Sequence, residues 1–79
     1  MNKQWRDMVY DNFLDCWMVF WDGGKRHFKV RCGDTFEIHL GDGKQIACRI
    51  ELGSDWYIIV GQNETKFYLK PFETYQVNI

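Results

Sequence analysis

The stretch whose reading decides the fold is residues 31–61, RCGDTFEIHLGDGKQIACRIELGSDWYIIVG. It holds three strand-like runs, 35–40, 44–52 and 56–60, divided by two tight-turn signals. Phe36, Ile38 and Leu40 alternate with Thr35, Glu37 and His39, the period of a strand buried on one face. Ile46, Cys48, Ile50 and Leu52 alternate in the same way with Ala47, Arg49 and Glu51. These runs predict an antiparallel meander. The first turn, Asp42-Gly43 before Lys44, suits a three-residue hairpin loop closed by a left-handed glycine. That loop pairs Leu40 with Lys44, Ile38 with Ile46 and Phe36 with Cys48, whereas a two-residue loop would mix the faces. Gly53-Ser54-Asp55 forms a second three-residue loop, pairing Leu52 with Trp56 and Ile50 with Ile58. Trp56, Ile58 and Val60 then point inward, and Tyr57 and Ile59 lie outside beside Glu51 and Arg49. No catalytic signature occurs in the stretch.

The chain has 79 residues, enough for one domain spanning 1–79. A domain of this size buries only about 60–65% of its unfolded surface, so its core is marginal. Six Phe, four Tyr and four Trp compensate, because each large ring can bury ~150–250 Å². With 46% hydrophobic and 27% charged residues the composition is that of a soluble globule. The net charge of −1 argues against a strongly basic nucleic-acid binder and against a strongly acidic imitation of DNA.

No run of 18 apolar residues is present, so no membrane-spanning helix is expected. The first residues, MNKQWRDMVYDNF, lack the apolar core of a signal peptide. The expectation is a cytoplasmic protein with three reduced cysteines, and the Asn63-Glu64-Thr65 sequon reads as chance.

Residues 1–24 are ambiguous by local pattern. Trp5, Met8, Val9, Phe13, Cys16, Trp17 and Phe20 fall near helical spacing. Tyr10, Leu14, Met18, Val19 and Trp21 lie off that stripe, and CWMVFW at 16–21 is dense in aromatic and β-branched residues, which favours a strand. Asp22-Gly23-Gly24 is a turn. Residues 25–31 then read as extended, with Lys25, Arg26, Lys29 and Arg31 forming the basic strip of the chain. Residues 66–70 form a short run, Pro71 marks an edge or break, and Tyr75, Val77 and Ile79 suggest a terminal strand.

The series VYD…WMV…VRCGDTFEI…RIEL…WYIIVG…VNI resembles a family of small domains found in Firmicutes, often on phages and conjugative elements. Cys32-Gly33, Arg49-Ile50-Glu51 and Trp56-Tyr57 carry the likeness, which runs from about Met8 to Ile79, while Arg31 stands where that family usually has His. The resemblance implies strands in the N-terminal segment and an all-β, SH3-like small barrel of five to seven strands. It implies no activity. Its mobile-element setting suggests accessory proteins that inhibit host defences, anti-CRISPR proteins among them.

Each candidate site has a plain alternative. Cys16, Cys32 and Cys48 with His27 and His39 offer zinc-ligand types, with Cys32 and His27 the best pair, but the close spacings of zinc signatures are missing. Buried small hydrophobes and surface histidines explain them better. Cys32 with His27 or His39 could make a nucleophile–base pair, yet a barrel this small offers little concave volume, so no enzyme is expected. Lys25, Arg26, Lys29 and Arg31 could follow a phosphate backbone, or could guard an edge strand against pairing. Arg49, Glu51, Tyr57 and Ile59 share an outer face with the residue mix of protein interfaces, or pair only with one another. The expected function is a non-catalytic protein-binding module, of which an inhibitor of a host protein or nucleoprotein complex is the sharper form. The alternative is a small nucleic-acid-binding barrel using residues 25–31. No cofactor is required by either.

Overall fold

A computed structural model describes residues 4–79. It contains eight strands: β1 Arg6–Asp11, β2 Cys16–Trp21, β3 Arg26–Lys29, β4 Thr35–Gly41, β5 Lys44–Leu52, β6 Trp56–Val60, β7 Thr65–Tyr68 and β8 Tyr75–Asn78. All pair antiparallel in one sheet of order β3-β2-β1-β8-β4-β5-β6-β7, and no helix occurs among the described residues. The fold is therefore all-β, as the alternation predicts, but the expected barrel of five to seven strands is corrected to an open sheet of eight. The two edges, β3 and β7, are each four residues long against nine for β5. Such short edges offer few ladder positions for closure, and β3 is lined with like charge. The body measures 36 × 35 × 20 Å.

The registers show how the core is made. Met8 pairs with Val19, Tyr10 with Trp17, Phe36 with Cys48, Ile38 with Ile46, Ile50 with Ile58 and Leu52 with Trp56. The terminal strand β8 joins the two halves, setting Val77 beside Arg6 on one side and Ile38 on the other. The inner face thus collects Met8, Trp17, Val19, Val30, Phe36, Ile38, Cys48, Ile50, Trp56, Ile58, Val60, Leu69 and Val77, all buried. β2 is buried on both faces. Trp17 and Val19 point into the core, while Cys16 and Met18 are buried on the other side, with Sγ 3.8 Å from Sδ.

The first hairpin turn differs from expectation in one respect. Phe36 and Ile38 hold their predicted partners, but Gly41 pairs with Lys44, leaving a two-residue tip, Asp42-Gly43. Both tip residues have positive φ, 50° and 72°, the backbone of a tight two-residue hairpin. The extra residue sits in the strand, as a bulge between His39 and Gly41 that leaves Leu40 61% exposed. His39 Nδ1 accepts the Gly41 N–H at 3.1 Å and supports the bulge. The second turn has the predicted pairing throughout.

Candidate functional site

The outer face of β5, β6 and β7 gathers the four residues singled out for protein binding. Arg49 lies opposite Ile59, and Glu51 opposite Tyr57. Arg49 Nε donates to Glu51 Oε2 at 3.2 Å, with the two side chains 43% and 29% exposed. The next strand adds two residues that sequence reasoning missed. Ile59 pairs with Lys66 and Tyr57 with Tyr68. The two tyrosine rings are 5.6 Å apart, and Lys66 Nζ stands 5.0 Å from the centre of the Tyr57 ring. The patch is an aromatic and aliphatic centre, Tyr57, Tyr68 and Ile59, bounded by Arg49, Glu51 and Lys66. Tyr68 is 62% exposed and accessible to a partner.

The basic residues Lys25, Arg26, Lys29 and Arg31 are all exposed at the β3 edge. Strand alternation divides them: Arg26 shares a face with Phe28, and Lys29 takes the opposite face with His27. Arg26 joins a second basic group, in which the Arg6 guanidinium lies 4.5 Å from the Trp21 ring in a recess also lined by Gln4, Trp5 and Asp22. The Arg31 backbone N–H donates to Asp34 Oδ2 at 2.8 Å.

Concave volume exceeds what the small-barrel reading allowed. Because the sheet is open, the inner faces of β4 to β7 and the 73–76 segment enclose a groove of about 920 Å³, lined by Ile38, Ile46, Ile58, Val60, Phe67 and Tyr75 among others. A smaller cavity of about 390 Å³ lies at the other end, bounded by Tyr10, Asp15, Trp17, Trp56, Leu69 and Phe72. There Asp15, at φ 49°, accepts hydrogen bonds from the Tyr10 hydroxyl and from Trp56 Nε1, the latter at 3.3 Å. This contact ties the β1–β2 turn to β6 and raises the Tyr10 pKa, chiefly through the hydrogen bond to the Asp15 carboxylate.

The thiols and imidazoles are dispersed. Cys48 faces inward and its pKa is pushed up to about 12 by burial. Burial raises the Cys16 pKa as well, and Cys32 is exposed. His27 packs against Phe20 with ring centres 5.6 Å apart, and His39 meets the edge of Trp5 at 5.3 Å. Among the described residues no three His, Cys, Asp or Glu side chains converge on a position for a metal ion.

Fold and face together define a small all-β domain built as one open antiparallel sheet, with an aromatic patch on its outer side. Residues 6–79 match the family model described as domain of unknown function (DUF5348), and the chain belongs to that family. No curated protein and no solved structure matches it.

Proposed function

We propose that this chain is a non-catalytic protein-binding module that docks through Tyr57, Ile59 and Tyr68, with Arg49, Glu51 and Lys66 fixing orientation. The observation that carries the reading is the tilted ring pair Tyr57–Tyr68, with Lys66 over Tyr57, on an accessible face. Interfaces concentrate their energy in such aromatic anchors and ring them with charge. Carried over from the mobile-element resemblance, the partner would be a cytoplasmic host defence complex and the chain its inhibitor. The acids Asp7, Asp11, Asp15, Asp22, Glu51, Asp55, Glu64 and Glu73 are scattered along the sequence, which disfavours imitation of a duplex. Inhibition would then come from docking on a protein surface and blocking a conformational step or the loading of target.

Tyr57→Ala combined with Ile59→Ser is expected to weaken partner binding by ~2–4 kcal/mol while the protein stays folded, since both side chains face outward. Affinity capture from a host lysate, followed by titration of the captured protein, measures it. Equal capture by the folded double variant would remove this face from consideration. Nucleic-acid binding is the second reading, supported by the Arg6–Trp21 stack beside Arg26. Changing Lys25, Arg26, Lys29 and Arg31 to Glu should abolish any retardation of DNA or RNA at low salt and leave folding intact, because Phe28 and Val30 hold the segment to the core. Retardation unchanged by the four substitutions would dismiss the strip.

A further inference from the structure

An open sheet has two edges, and these two differ. Among the described residues β3 pairs only with β2, and its charges guard it against edge-to-edge pairing. β7 pairs only with β6 among the described residues, and it leaves Phe67 55% and Tyr68 62% exposed with Lys66 as its one charge. The phase of its hydrogen bonding follows from one contact. The Leu69 N–H donates to the Trp56 carbonyl at 3.0 Å, so alternation turns the backbone groups of Thr65, Phe67 and Leu69 toward β6. Those of Lys66 and Tyr68 therefore point to the open side. Lys70, next in that phase, has its N–H taken by the Tyr75 hydroxyl oxygen at 2.8 Å, which ends the free edge.

From this edge we infer that β7 pairs antiparallel with β7 of a second copy of this chain, across a two-fold axis at Phe67. Three symmetric registers let the outward groups of both strands bond to one another, with the axis at residue 66, 67 or 68. An axis at 66 sets Lys66 against its own copy. An axis at 68 sets Lys66 against Lys70. Like charges directly opposite destabilise a ladder. An axis at 67 places Lys66 opposite Tyr68 of the second copy and Phe67 opposite Phe67, and brings Glu64, the turn residue before β7 at φ 53°, toward Lys70, just past the end of the facing strand, on both sides. That register forms four backbone hydrogen bonds, two from each copy, and buries the exposed Phe67 rings against each other at the rim of the inner groove. It is self-complementary, as a two-fold interface must be.

The contact is short, so the dimer is expected to be weak and to appear at roughly 10 µM to 1 mM protein. Sedimentation velocity over that range tests it. Lys66→Pro deletes an outward N–H without touching the β6 ladder, and should weaken dimerisation at least about tenfold while circular dichroism stays that of the wild type. Charge exchange tests the register independently of any backbone effect. Glu64→Lys alone and Lys70→Glu alone should each weaken the dimer roughly tenfold, and the double variant E64K/K70E should restore it. Lys66→Pro also alters the docking face, but Glu64→Lys and Lys70→Glu leave Arg49, Glu51, Tyr57, Ile59, Lys66 and Tyr68 in place, so the charge exchange separates self-pairing from partner docking. A wild type that stays monomeric at the top of the range overturns the inference. So does a folded Lys66→Pro variant that dimerises as the wild type does, or a double variant no better than the single ones.

Discussion

Trp17→Ala is expected to cost about 3–5 kcal/mol of stability, enough to unfold a large share of a 79-residue domain. Trp17 is fully buried, and its ring meets Tyr10 and Tyr75 with centres 5.5 Å away from each. Tyr10 belongs to β1 and Tyr75 to β8, so the indole spans three neighbouring strands at the centre of the sheet. Removing it opens a cavity that a ladder-bonded sheet cannot collapse to fill. Trp17→Phe separates ring packing from indole chemistry. The Trp17 Nε1 group is buried with no hydrogen-bond partner among the described residues, and an unsatisfied buried donor costs ~1–3 kcal/mol. Phenylalanine deletes that donor, which offsets part of the lost volume, so its net cost should be near 1 kcal/mol. Urea titrations of the three proteins give the comparison. An alanine variant within 1 kcal/mol of the wild type would show that Trp17 does not hold the sheet together.

The same residue explains why the N-terminal segment was hard to read. In CWMVFW the inward pair Trp17 and Val19 and the outward pair Cys16 and Met18 are all buried. A strand buried on both faces loses its period of two, and what remains resembles a greasy helix. Thr35–Gly41 and Lys44–Leu52 are buried on one face, so alternation there sets the register of Phe36 and Ile38 correctly. The bulge was hidden for a geometric reason. An extra residue shifts side-chain parity equally whether it lies in the loop or at Leu40, and alternation reports parity alone. Closure was equally invisible, since alternation shows that a face is covered and not whether two edges meet. Arg49, Glu51, Tyr57 and Ile59 were legible as a patch because they sit on the two best-patterned strands. Lys66 and Tyr68 were not, because β7 has four residues and sets Phe67 and Tyr68 side by side, which masks their opposite faces.

High pH should destabilise the fold through Cys48. Cys48 as a whole is 5% exposed, and burial pushes its thiol pKa from 9.0 up to about 12. Between those values the unfolded chain releases a proton that the folded chain retains. Stability is therefore fully present below pH 9 and falls as pH rises toward 12. The loss grows through that window as the unfolded thiol ionises while the folded one stays protonated. Burial also raises the Cys16 pKa, and the hydrogen bond to Asp15 raises that of Tyr10, so both act in the same direction. Cys48→Val isolates the dominant group, because valine fills a similar volume between Phe36 and Val60, the cross-strand partners of Cys48, and cannot ionise. Urea midpoints measured under reducing conditions from pH 8 to pH 11 should fall steeply for the wild type and much less for the valine variant. Parallel curves for the two proteins would mean that Cys48 ionises without unfolding the sheet, and that its place in the core is looser than its burial implies.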